Sequence, residues 1–414
     1  MEQSTSETTS VKAAAAAAAG EPPQLVVPPW PLTSRLMYAI ITLLWKGLIL
    51  KPSLYYSEVK KYFYPPGENA PDQVKVYPVR KSLHVRIFYP PSYNPSTCSP
   101  ETTKLPTLLT CHGGGFLVGQ PHDNDEWNRA FAKRHGFLVV ALDYGKGPWH
   151  RLPAAVHDVE ALVGCVLADR TLPVDGERVA IAGWSAGGYL ALAATMLPSL
   201  RDRLRAAVPV YPLLDRVTPT AAKTATRPYK PALGGFRGRN SDFVAPMMGL
   251  FDWASLEPGQ KCDDPLLSPC YAPRELILPP RNGGGGGVFF IGCELDMLAH
   301  EALRTACRLV GRPVPSTDEP VGREEPVGMG ELITDGDERF AWEETTEDGS
   351  RVRWLLVPDT VHGFDQRNIA DISGNDPGLM EDARIKTAKV IDLIGEWLLS
   401  GPLKLDKKGF DVLG

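Results

Sequence analysis

Ser185 lies within Gly183-Trp184-Ser185-Ala186-Gly187, a setting in which a hydroxyl can serve as a nucleophile. Arg178 to Trp184 before it reads as a buried strand, and Gly188 to Met196 after it as a small-residue helix. A serine on such a strand–turn–helix elbow has its hydroxyl pushed out of the sheet, and the tight turn favours small neighbours. The pentapeptide alone is a modest signal, since roughly 0.2 matches arise by chance in a chain of this composition. An ordinary strand-to-helix turn is the bland alternative, and the context upstream weighs against it. His112-Gly113-Gly114-Gly115-Phe116 follows Leu105 to Cys111, an apolar run that reads as another buried strand. Three glycines at a strand end let the backbone turn sharply and aim N–H groups into a cavity with no Cβ in the way. Donors fixed where a carbonyl oxygen gains charge make an oxyanion hole. Chance supplies roughly 0.007 His-Gly-Gly-Gly matches here, so a plain flexible loop is the weaker reading.

A serine hydroxyl is a poor nucleophile at its own pKa and needs a base, which in turn needs an acid to orient it. With the nucleophile on an elbow of this kind, the chain order is serine, acid, histidine. Only His300 and His362 follow Ser185. His362 sits in Val361-His362-Gly363-Phe364, just past the strand pattern Arg351 to Val357, where a loop would carry a base. His300 falls at the start of a helix pattern and reads as a surface or capping residue. For the acid, Val288 to Cys293 is a strand pattern ending at Glu294-Leu295-Asp296. Strand alternation puts Glu294 and Asp296 on the same side, so both stand as candidates. Reach beyond the strand's carboxyl edge favours Asp296. Helix capping by a carboxylate is the plain alternative for either one.

With these residues in place, the chain resembles the hormone-sensitive-lipase-like group of α/β-hydrolases, the fold-3 esterases, over roughly residues 80 to 400. Four islands carry the resemblance: His112 to Phe116; Asp143-Tyr144 with Pro148 and Leu152-Pro153-Ala154-Ala155 through Asp158; the elbow; and Asp264-Pro265-Leu266-Leu267-Ser268-Pro269. The resemblance implies an α/β-hydrolase fold: a mostly parallel central sheet, helices on both faces and a helical cap. It also implies Ser185 as nucleophile, Asp296 as acid and His362 as base. The N–H groups of Gly114, Gly115 and Ala186 would be the oxyanion donors, with His112 and Gly113 completing the donor motif. Two departures stand out. Trp184 occupies an elbow position that is usually acidic, and Gly145-Lys146-Gly147 replaces the usual Arg-Leu-Ala.

The elements that must position these groups divide the chain unevenly. Residues 1–31, with a seven-alanine run and Pro22, Pro23, Pro28 and Pro29, read as a disordered tail. Residues 32–75 hold an apolar helix and a cap segment, and 76–414 form the hydrolase domain. A cap insertion is expected at about 215–261, rich in residues such as Phe236, Phe243, Phe251 and Trp253, which suit either a pocket wall or a small satellite core. An acidic Pro/Gly-rich insertion at about 311–350 reads as a mobile surface excursion, with a hairpin suggested around Phe340 to Trp354. Met380 to Leu399 is an amphipathic helix closing the domain. Leu36 to Leu50 is apolar except Thr42, Lys46 and Gly47, short for a spanning helix. It suits a cap helix or a membrane-surface helix.

Composition sets limits on function. A net charge of −5 gives no electrostatic case for nucleic acid. The seven cysteines (98, 111, 165, 262, 270, 293, 307) have no paired spacing, which points to reduced thiols in a cytoplasmic setting, with peripheral membrane association left open by Leu36–Leu50. No His/Cys cluster has metal-ligand spacing, and the chemistry needs no cofactor. Nor does a signal peptide or mitochondrial presequence stand at Met1. The expected activity is hydrolysis of a small-molecule carboxylic ester, with short to medium acyl chains, through an acyl-enzyme. An amidase or deacetylase of the same chemistry is the alternative, and a ligand-binding member without catalysis a third reading. The sequence is silent on oligomeric state.

Overall fold

The structure is a computed structural model that describes residues 25–63, 67–278, 285–366, 374 and 376–404. Most of the expected N-terminal tail lies outside these residues. The strands are β1 (Gln73–Val76), β2 (His84–Phe88), β3 (Leu105–Cys111), β4 (Leu138–Leu142), β5 (Val174–Trp184), β6 (Ala206–Val210), β7 (Gly287–Cys293), β8 (Ala341–Thr345) and β9 (Arg351–Val357). Among the described residues they form one sheet in the order β1-β2-β4-β3-β5-β6-β7-β9-β8. From β4 through β9 each neighbouring pair is parallel, while β1, β2 and β8 add antiparallel edges.

The central strands read as continuous apolar runs because both faces of the sheet are covered. Alternation within them still sorts side chains. Ala180, Ala182 and Trp184 of β5 join one core with Phe289 and Ile291 of β7, while Val179 and Ile181 join the other with Val288 and Phe290. Helices α3 (Asp125–His135) and α10 (Pro377–Ser400) cover the first face through Trp127, Phe131, Ile394 and Trp397. Helices α4 (Ala154–Ala168), α5 (Ala186–Met196) and α9 (Ala299–Val310) cover the second. This is a mostly parallel sheet with helices on both faces.

Three further segments frame the carboxyl ends of the strands. Helix α1 (Leu32–Leu44) continues through a π-helical stretch, Trp45–Leu50, into α2 (Lys51–Phe63). Between β6 and β7 lie α6 (Thr220–Ala225), α7 (Met248–Ser255) and α8 (Arg274–Ile277). The N-terminal segment meets this insertion: Val26 bridges Lys261, and Val27 N–H donates to Gln260 O at 2.9 Å. Residues 25–27, inside the span assigned to the tail, are thus paired backbone. Tyr38 of α1 packs on Trp253 of α7, ring centroids 5.9 Å apart.

The third segment, residues 311–350, ends in the β8–β9 hairpin, with Trp342 opposite Trp354. Its earlier part is fastened to the body. Lys230 Nζ, fully buried, lies 2.6 Å from Glu294 Oε2 and 2.7 Å from Asp359 Oδ1, and donates to the Glu325 carbonyl at 3.1 Å. Arg323 N–H donates to Glu294 Oε1 at 2.9 Å and Val327 N–H to Asp359 Oδ2 at 2.6 Å. Composition pointed to a mobile excursion because those carboxylates and that lysine lie far away in sequence.

Candidate active site

Ser185 follows the last residue of β5 and caps α5, with φ 54° and ψ −116°. A non-glycine residue at positive φ is strained, and here the neighbours hold it there. Ser185 N–H donates to Val210 O of β6 at 2.9 Å. A Cβ on Gly183 would meet Gly187 O at 2.1 Å, and one on Gly187 would meet Cys111 O at 2.1 Å. Both elbow glycines are therefore required by close backbone approach.

The glycine loop after β3 passes beside the elbow, with the Cβ position of Gly113 3.6 Å from Ser185 Cβ. Gly114 and Gly115 have φ 111° and 58°, and Phe116 has φ 60°. Among the described residues no hydrogen bond engages the N–H of Gly114, Gly115 or Ala186. For Ala186 this is expected, as it begins α5, whose first-turn N–H groups lack intrahelical partners. His112 braces the loop. Its Nδ1 lies 2.7 Å from Gly113 O and its Nε2 3.3 Å from Asp143 Oδ1, with its ring stacked on Tyr144 at 4.3 Å. The Tyr144 hydroxyl donates to the carbonyls of His112 and Gly113 at 3.0 and 3.2 Å.

Asp296 and His362 lie in the loops after β7 and β9, neighbouring strands, so parallel pairing delivers both to one edge. His362 Nδ1 and Asp296 Oδ2 are 2.7 Å apart. Asp296 is buried and its other oxygen accepts from Leu298 N–H at 3.1 Å. The two loops are joined by Leu295 N–H donating to Thr360 O at 2.8 Å. Burial pulls the His362 imidazole down, but the charge and hydrogen bond of Asp296, with Asp242 and Asp365 beyond, outweigh it and hold the pKa above its ordinary value. Among the described residues no hydrogen bond joins Ser185 Oγ to His362. Such contacts are often long before substrate binds. The other candidates are placed elsewhere. Glu294 belongs to Lys230, and His300 Nε2 lies 2.7 Å from Ser316 O, in the long insertion.

The departures from the family pattern have partners. Trp184 Nε1–H donates to Asp365 Oδ2 at 2.7 Å, and the Tyr211 hydroxyl donates to Asp365 Oδ1. The Tyr211 ring lies 4.6 Å from the His362 ring. Burial raises the Asp365 pKa despite these donors. Trp184 thus ties the position before Ser185 to a carboxylate three residues past His362. Sequence reasoning missed Asp365 and Tyr211, although an indole replacing an acid was a signal that an acceptor had moved. Gly147 lies so close to α7 that a Cβ would meet Ala254 O at 2.1 Å, and Lys146 Nζ reaches Asp143 Oδ1 at 2.5 Å. Asp242, also missed, accepts Met297 N–H at 2.9 Å and Val244 N–H at 2.7 Å, fastening the insertion to the Asp296 loop.

A doubly wound sheet with a strained serine elbow at one strand end and an Asp–His pair at two others defines the α/β-hydrolase class. A family model described as alpha/beta hydrolase fold matches residues 108–320, just over half of the chain. The chain belongs to that family, in its hormone-sensitive-lipase-like group. Among curated relatives, the esterase LipI of Mycobacterium tuberculosis is 37% identical over 110 residues, 26% of this chain and 32% of that protein. An ethyl acetate hydrolase of Pseudomonas putida is 34% identical over 140 residues, 32% of this chain and 42% of that protein. The matched stretch thus spans a third to under half of these relatives. An esterase of Pyrobaculum calidifontis has a similar structure, with TM-score 0.55 and 20% identity, covering 91% of this chain and all of that one. One from Pseudomonas putida gives TM-score 0.55 and 18% identity, covering 82% and 86%. At these identities the structures speak for the fold.

Proposed function

We propose that this chain is a serine hydrolase of carboxylic esters with short to medium acyl groups, acting through an acyl-enzyme. The observation that carries the reading is the 2.7 Å Asp296–His362 bond on the sheet edge that also presents Ser185 at φ 54°. Ser185 Oγ attacks the ester carbonyl carbon as His362 Nε2 takes its proton. The carbonyl oxygen gains the negative charge and accepts N–H bonds from Gly114, Gly115 and Ala186. Collapse breaks the ester C–O bond, and His362 gives its proton to the departing alkoxide. Water then adds to the acyl carbon, its proton passing to His362, and the acid leaves as Oγ is reprotonated. Asp296 fixes the histidine tautomer throughout.

Two observations favour a small acyl group. The Phe251 ring of α7 packs on Gly115, where a Cβ would meet Phe251 Cδ1 at 2.4 Å, so an aromatic wall stands directly over the donor loop. Relatives also include an acetyl esterase of Salmonella paratyphi B, 36% identical over 107 residues, besides the ethyl acetate hydrolase. A chromogenic acyl-ester ladder run beside a Ser185→Ala control tests both parts. Short and medium esters should turn over best and emulsified long-chain triglyceride poorly. The variant should lose on the order of 10⁴ to 10⁶ in turnover while staying folded. Activity retained in Ser185→Ala, or an organophosphate probe labelling another serine, would overturn the mechanism. A sharp rate rise above the solubility limit of a triglyceride would overturn the size assignment alone.

A further inference from the structure

The helix at the start of the described chain has its polarity turned inside out. Over residues 32 to 50 the side chains that are not exposed are Ser34, Tyr38, Ala39, Thr42, Lys46 and Leu50. Steps of four place them on one face, and the π-helical stretch Trp45–Leu50 takes back part of the drift that steps of four accumulate in an α-helix. That inward face is largely polar. Tyr38 packs on Trp30 and Trp253, and Lys46 Nζ donates to Gly147 O at 2.6 Å while lying over the Trp149 ring. The outward face is Leu32, Leu36, Met37, Ile40, Leu43, Leu44, Leu48 and Ile49, each about half exposed or more. In water an amphipathic helix hides its apolar stripe. Here the sequence keeps serine, threonine and lysine against the protein and leaves leucine and isoleucine outside, which is stable only if the outer medium is apolar.

We propose that this outer face docks on an anionic lipid bilayer surface, with the helix lying in the plane of the interface. Charge selects this occupant. Apart from the inward-facing Lys46, residues 32 to 56 carry Arg35 and Lys51 and no carboxylate, although the whole chain has a net charge of −5. A second copy would set like charges against one another, whereas anionic headgroups complement them. Exposed Trp45 within the patch, Trp149 beside Lys46, and Tyr55 and Tyr56 just past it are residues suited to the headgroup boundary. Leu32–Ser53 is long and apolar enough to cross a membrane by length and composition. Spanning, however, would strip Lys46 from Gly147 and Tyr38 from Trp253, contacts that fasten the helix along the body.

The full chain with sucrose-loaded vesicles of phosphatidylcholine and phosphatidylglycerol provides the test. Wild type should sediment with mixed vesicles and less with phosphatidylcholine alone. Leu36→Glu/Ile40→Glu/Leu44→Glu, three exposed positions, should keep the melting temperature and lose at least about tenfold in vesicle binding. Arg35→Gln and Lys51→Gln leave the apolar face intact, and each should weaken binding to anionic vesicles about fivefold. No vesicle binding, or binding unchanged by these substitutions, overturns the proposal. So does retention in the membrane pellet at alkaline carbonate pH, which would mean a spanning helix. A dimer in lipid-free solution that the triple variant dissociates would assign the face to a second copy.

Discussion

At the scale of single residues, the sharpest question is what each carboxylate does for His362. Asp296→Asn should leave the fold intact, favour the wrong tautomer and cost about 10⁴ in turnover. Glu294→Gln should cost up to about 2 kcal/mol of stability with turnover preserved, since Glu294 bonds Lys230 rather than the imidazole. The pH profile adds a second readout. His362 must be neutral to accept the serine proton, and its pKa is raised above 6.5, so the acid limb of kcat/KM should lie above that pH. In Asp296→Asn the limb should move to lower pH. The sign for stability is the reverse of that for activity: a raised histidine pKa stabilises the fold below 6.5, and the contribution fades as pH climbs through the folded value. Trp184→Phe removes the indole donor 2.7 Å from Asp365 and leaves a buried carboxylate one donor short. It should cost about 1–3 kcal/mol by urea denaturation, with turnover falling because the same loop carries His362. The candidates Ser185, Glu294 or Asp296, and His362 stood out in the sequence because each lies just past a strand pattern. Asp365 did not, because its donors Trp184 and Tyr211 lie more than 150 residues away in sequence.

At the scale of elements, β3 and β9 are observed over the stretches read as strands from the sequence, the apolar run Leu105–Cys111 and the strand pattern Arg351–Val357. Strands buried on both faces announce themselves by composition alone. The segments around the site were harder, because their order depends on buried ion pairs rather than on periodicity. Lys230 is the clearest case: no pattern marks it, yet it lies in the protein interior between Glu294 at the end of β7 and Asp359 past β9. Lys230→Met should destabilise the protein by about 3–5 kcal/mol, because it strands two buried carboxylates. Adding Glu294→Gln and Asp359→Asn should recover part of that loss. Guanidinium titrations of the single and triple variants check both statements. Limited proteolysis should find residues 323–327 newly accessible in the single variant, since Glu294 and Asp359 hold their backbone only while the lysine balances them.

At the scale of the whole molecule, two neighbouring strands lead into Asp296 and His362, yet a long stretch of chain separates them. Lys230 and the Leu295–Thr360 backbone bond hold the ends of that stretch together, and the same carboxylates fasten residues 323–327, leaving the arc beyond them outside this contact. The distance from Asp296 to His362 is therefore decoupled from the contour length of the loop. Slack added at the far tip should be thermodynamically cheap, because closure entropy grows only logarithmically with length. Gly336 is such a tip: it is exposed, has φ 74°, and a Cβ there would meet nothing within 4 Å. A Gly/Ser segment of about ten residues spliced in at Gly336 should cost under about 1 kcal/mol and leave kcat within about twofold. The same splice beside Val327, inside the fastened part, should lower both. The rivet makes the outer arc of this loop a port where a reporter or a tethering domain can be installed without disturbing the chemistry beneath it.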